Sequence, residues 1–146
     1  MGGNIYLGGT GSANALDDYE EGTYTPTITS GITTPTYTAD TQGRYVKIGG
    51  YCFVDGRLVI SAGTTTNNAL VISLPFAIEG GSPFFPVGNS YFNSVLQNGT
   101  TVRPLVSQSG SGLFFVYQRD NGSQLNFTGA MFGATGNVNF TLGYRV

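Results

Sequence analysis

The 146 residues predict an all-β protein, an antiparallel β-sandwich of jelly-roll-like type. Three observations lead there. No window places apolar residues at i, i+3, i+4 and i+7 over two turns, so helical signals are nearly absent. Apolar and polar residues alternate with a period of two in several segments, as in half-buried strands. Glycine, proline and asparagine punctuate those segments at short intervals.

The first 16 residues (MGGNIYLGGTGSANAL) are small, Gly-rich and poor in core-forming side chains. They read as a linker or the last piece of a shaft, leaving 17–146 as the sandwich. Residues 16–22 hold four of the eight acids and read as a solvated turn. Strands are expected at 24–29, at 37–48 with a break near Asp40, and at 51–61. In the strand at 51–61, Cys52, Val54, Leu58 and Ile60 point to one face. Tyr51, Phe53, Asp55, Arg57 and Val59 point to the other. Further strands are expected at 69–74, at 84–97 with room for a break, and at 100–107, 113–119, 126–132 and 138–146.

Pro75, Pro83 and Pro86 break the middle of the chain into loops. Asn98-Gly99 is a type I′ hairpin signal between the strands on either side of it. Asp120-Asn121-Gly122 joins the strand at 113–119 to the next. Pro104 inside its strand suggests a sheet edge or a bulge. Residues 113–119 are apolar on both faces, the pattern of a strand covered from both sides. In the last strand Val138, Phe140, Leu142, Tyr144 and Val146 alternate with Asn139, Thr141, Gly143 and Arg145.

Composition narrows the function. Charged residues are 10% of the chain, against about 25% in an average soluble domain. Solubility therefore rests on Thr, Ser, Asn and Gln. The net charge of −2 and the scattered Arg44, Lys47, Arg57, Arg103, Arg119 and Arg145 argue against nucleic acid. With no His and one cysteine, Cys52, there is no intrachain disulfide and no ligand set for the usual Zn, Cu, haem or Fe–S centres. No cofactor is expected. No apolar run approaches the ~20 residues of a membrane helix, and no signal peptide is visible. The 23 glycines carry an entropic cost that partner contacts can offset.

Few motifs point to chemistry. Residues 8–12 (GGTGS) lack the Lys-Ser/Thr and the strand–helix frame of a phosphate loop. Asp17, Asp18, Glu20 and Glu21 are the one cluster able to hold a hard cation such as Ca²⁺. Two carboxylates also suffice for sugar hydrolysis, but catalysis needs a cleft and raised pKa values that no motif signals. Without His a Ser-His-Asp triad is impossible, and a Ser-Lys pair would need Lys47. Asp55 and Arg57 share a face two residues apart, placing an ion pair at the surface or at a subunit interface. The sequons at Asn98, Asn121, Asn126 and Asn139 read as coincidence in an Asn/Thr-rich chain.

Residues 4–14 (NIYLGGTGSAN) followed by 16–26 (LDDYEEGTYTP) resemble a junction in bacteriophage tail-fibre and related virion fibre proteins, where a Gly-rich stem meets a β-sandwich. The run 43–49 (GRYVKIG), 73–76 (SLPF) and 127–129 (FTG) are similar to further segments of that family, in the same order. Arg145-Val146 suits a fibre's C-terminal end. Tyr24 stands where the family usually has Trp; both are large amphipathic aromatics. The resemblance implies a homotrimeric fibre tip in the virion, on tail or capsid, assembled in the bacterial cytoplasm with other fibre or tail proteins. It implies no catalytic residues.

If the stem joins at one end, strand parity puts the loops at 31–35, 64–68, Asn98-Gly99 and 120–122 at the other. Thr33, Thr65, Asn67, Asn68, Asn98, Asp120 and Asn121 are then the candidates to contact a host-surface glycan or protein. Their amides and hydroxyls suit neutral sugars, and three copies add avidity. The alternatives are a purely structural trimerisation or capping module and, with least support, a polysaccharide depolymerase.

Overall fold

A computed structural model describes residues 5–6, 15–16, 19–79, 88–93, 102–106, 112–118 and 124–146. The elements are β1 (Ile5–Tyr6), β2 (Ala15–Leu16), β3 (Tyr19–Tyr24), β4 (Ile28–Ser30), β5 (Ile32–Tyr37), β6 (Gln42–Ile48), β7 (Tyr51–Thr65), β8 (Val71–Ser73), β9 (Asn89–Asn93), β10 (Val102–Val106), β11 (Gly112–Gln118), β12 (Gln124–Asn126), α1 (Gly129–Phe132) and β13 (Gly136–Arg145). All strand pairings are antiparallel, and the protein is an all-β, sandwich-like fold.

β1 and β2 form a small ribbon. The larger sheet runs β3-β6-β7-β13-β9, with β5 continuing the β6 side of β7. The smaller sheet runs β10-β11-β8-β4, with β12 also on β11. β7 organises the larger sheet because its 15 residues serve two partners along one edge. Residues 51–57 pair with β6 and residues 60–65 with β5.

The alternation expected in β7 and β13 is what fills the core. Cys52, Val54, Leu58 and Ile60 are buried beside Val138, Phe140, Leu142 and Tyr144. Ile28, Ile72, Leu113, Phe115 and Tyr117 face them from the smaller sheet within one cluster. Phe92 of β9 joins the layers, with its ring 5.1 Å from Phe115, 4.8 Å from Phe127 and 6.0 Å from Phe132. Val116, on the other face of β11, is buried too, so this strand is shielded on both sides there. Tyr24, Gly43, Gly56 and Phe140 form one inward row across four strands. A Cβ on Gly43 would collide with the Tyr24 ring and one on Gly56 with the Phe140 ring, so the glycines let both aromatics lie over the sheet.

Several boundaries differ from the sequence expectation. The segment 24–29 is two strands in different sheets, parted around Pro26. Residues 31–35 are a corner plus β5 instead of a loop. Gly31, at φ +93°, turns the chain from the smaller sheet into the larger, and β-branched Ile32, Thr33 and Thr36 then pair with β7. Tyr19 to Gly22, expected as a turn, begins β3. The strand expected at 126–132 ends at its first residue: the chain leaves β12 after Asn126 and makes the single turn α1.

The Asn98-Gly99 turn lies outside the described residues. Among the described residues on either side of it, β9 pairs with β13 and β10 with β11. The hairpin expected around residues 120–122 is supported by the β11–β12 pairing. Pro104 sits in β10, which ends the smaller sheet's order.

Candidate functional site

Two regions gather exposed polar side chains. The first is one end of the sandwich. β3 begins, β6 ends and β13 ends at the proximal end, where the N-terminal segment joins. At the opposite end β5 begins beside the end of β7, with Ile32 opposite Thr65 and Thr33 opposite Thr64. Thr33, Asn67 and Asn68 are exposed there and Thr65 is half-buried.

Backbone hydrogen bonds fix this cluster. The Gly31 carbonyl accepts from the Thr66 amide at 2.9 Å and from its hydroxyl at 3.1 Å. The amides of Gly129 and Ala130 donate to the carbonyls of Asn68 and Thr66. The turn α1 thus props the 66–68 segment from below. β9 and β11 end, and β10 and β12 begin, toward this same end. Asn98, Asp120 and Asn121 lie outside the described residues.

The second region is the outer face of the larger sheet, which sequence reasoning did not single out. Odd-numbered β7 residues and their cross-strand partners build it in rows. Tyr19, Ile48, Tyr51 and Arg145 form the most proximal row, and Glu21, Val46, Phe53 and Gly143 the next. Tyr19 is 50% exposed, Ile48 43%, Tyr51 48% and Phe53 53%. The Tyr51 and Phe53 rings stack at 6.2 Å, and Phe53 lies over Gly143. This is an exposed apolar patch.

The rows beyond it are polar. Thr23, Arg44, Asp55, Thr141 and Asn89 align, followed by Gln42, Arg57, Asn139 and Tyr91. Over them lies an open groove of about 610 Å³, lined by both polar rows and floored partly by Gly43 and Gly56. Tyr91 is 65% exposed. Arg44 donates through Nε and Nη2 to Asp55 Oδ2 at 3.2 and 3.0 Å. Arg57 Nη2 is 3.7 Å from Asp40 Oδ2. The expected Asp55–Arg57 pair is therefore not formed: each reaches across to the β6 side, because side chains two apart on a strand stand further apart than cross-strand neighbours.

Of the acidic cluster, Glu20 and Glu21 are described, both in β3. Glu20 and Glu21 are consecutive in β3, so they point to opposite faces. The Tyr45 hydroxyl donates to Glu20 at 2.7 Å and the Tyr19 hydroxyl to Glu21 at 2.6 Å. Each of these hydrogen bonds to a carboxylate raises the phenol's pKa. Asp17 and Asp18 lie outside the described residues. Among the described residues no group of three His, Cys, Asp or Glu side chains is placed to hold a metal ion. Cys52 is buried, and burial pushes its thiol pKa up, the opposite of an activated nucleophile.

No protein-family model, curated protein or solved structure matches the chain.

Proposed function

We propose that the chain is a non-enzymatic end domain of a bacteriophage tail or capsid fibre, jelly-roll-like and homotrimeric, that attaches the virion to a host-surface glycan or protein, most directly a polysaccharide. The observation that carries this reading is the contrast between the two ends. The Gly-rich N-terminal segment joins at the proximal end, while Thr33, Thr65, Asn67 and Asn68 gather at the other on a hydrogen-bonded support. Neutral amides and hydroxyls carried on a backbone held in place lose less entropy when they bind a sugar hydroxyl than the same groups on a loose loop. The apolar patch of Tyr19, Ile48, Tyr51 and Phe53 supports self-association near the stem, since monomers rarely expose such groupings.

A fluorescent form of the chain applied to a panel of intact bacteria tests the reading. Labelling of particular strains, lost in an Asn67→Ala/Asn68→Ala variant that stays folded, is the expected result. Absence of labelling on every strain contradicts attachment. The apolar patch alone also suits a purely structural trimerisation module. That reading expects the loop variant to adsorb normally and deletion of the domain to abolish fibre assembly.

A further inference from the structure

We infer that the groove on the outer face of the larger sheet is a binding site for a neutral saccharide chain, with Tyr91 as its stacking platform. This deepens the attachment reading and rests on it.

Three features of the groove select this ligand. Tyr91 projects from the outward side of β9, because Phe92 beside it is packed inward on Phe115 and Phe127. The residue is 65% exposed although it sits in a paired strand. An aromatic ring left bare among polar groups offers a flat apolar surface beside hydrogen-bonding partners, which matches the two-faced character of a pyranose ring. The register places Asn139 directly beside it and Arg57 and Gln42 beyond, one strand apart each. That row crosses three strand gaps of about 4.8 Å, so it extends over about 14 Å, long enough to follow several sugar units. Its amide and guanidinium groups donate, and the amide oxygens accept, as sugar hydroxyls require.

Charge separates a neutral saccharide from the other polymers. Both cations of the groove face an anion, Arg44 with Asp55 at 3.0 Å and Arg57 with Asp40 at 3.7 Å. The two positive and two negative charges cancel, leaving no field to draw a phosphate backbone or an acidic peptide. The groove is also open and shallow, which admits the middle of a polymer and does not require a chain end.

The test is retardation of the intact chain in native gels containing dextran, mannan or galactan, with polygalacturonate and heparin as anionic controls. At least one neutral polymer should retard it, and Tyr91→Ala should weaken that retardation about tenfold. Tyr91→Phe keeps the ring and should retain most of it. Tyr91 is exposed, so an unchanged thermal midpoint checks that the variant is folded. Retardation unaffected by Tyr91→Ala but lost in Asn67→Ala/Asn68→Ala overturns the groove and leaves attachment by the distal end standing. Retardation by the anionic polymers alone overturns the neutral-sugar assignment. No retardation by any polymer, with labelling of intact bacteria preserved, overturns the groove alone; loss of both overturns the attachment reading with it.

Discussion

The hydroxyl of Tyr144 lies 3.3 Å from both the amide nitrogen and the carbonyl oxygen of Phe76, accepting from one and donating to the other. The two residues are 68 apart in sequence, and the contact fastens the last strand of the larger sheet to the segment that follows β8. Tyr144 is itself fully buried. Tyr144→Phe should therefore cost about 1 kcal/mol from the lost hydrogen bonding, and Tyr144→Ala about 3–5 kcal/mol from the cavity. Urea denaturation with an unchanged slope would measure both.

Alkaline pH should unfold the protein. Burial pushes the pKa values of Tyr24 and Tyr144 well above the ordinary value of 10.0, and that of Cys52 above 9.0. The Tyr24 hydroxyl is buried with no hydrogen-bond partner among the described residues, so none of them stabilises its ionised form. Above the ordinary values the unfolded chain holds fewer protons than the folded one, so stability falls with rising pH. The stabilisation from the neutral groups is complete below about pH 9 and declines from there toward the raised pKa values. Urea midpoints measured from pH 7 to 11 should be level and then drop, and Tyr144→Phe should make the drop shallower.

Gly31 and Gly49 both have positive φ, at +93° and +56°, but their surroundings differ. A Cβ on Gly31 would stand 2.9 Å from the Leu70 Cα, while one on Gly49 meets nothing within 4 Å. Gly49→Ala should cost only the backbone penalty, about 1–2 kcal/mol. Gly31→Ala adds a clash with backbone at the corner between the two sheets and should cost roughly 3 kcal/mol. Equal costs in thermal or urea unfolding would mean that the corner is looser than its geometry.

The apolar patch makes a separate prediction. Phe53 is more than half exposed, so Phe53→Ser should change folding stability by only about 0.5 kcal/mol within one protomer. It should nevertheless shift the oligomer toward monomer, seen as a smaller mass at equal concentration. An oligomer unaffected by Phe53→Ser combined with Ile48→Ser would place the subunit interface elsewhere.

The strands that could be read from the sequence are those whose inner face is aliphatic or aromatic and whose outer face is polar. β13 shows this, because one-sided burial imposes a period of two, and β7 keeps the buried inner alternation although Tyr51 and Phe53 stand on its outer face. β5 was hidden because Thr33, Thr34 and Pro35 resemble a turn, and only the distant Thr64 and Thr65 reveal Thr33 and Ile32 as paired, with Thr34 and Pro35 in a register shift between Thr33 and Thr36. α1 was hidden because one helical turn is too short for any periodicity. The distal cluster followed from strand parity, which needs only the order of reversals. The groove did not, since Tyr91, Asn139 and Arg57 become neighbours through a register between segments more than 30 residues apart.

The central claim is a trimeric end domain, and the solution mass across a dilution series tests it most directly. A trimer gives a single species at three times the chain mass of 15.3 kDa, persisting on dilution. A species at 15.3 kDa at every concentration would contradict it, and would remove the multivalent attachment built on three copies.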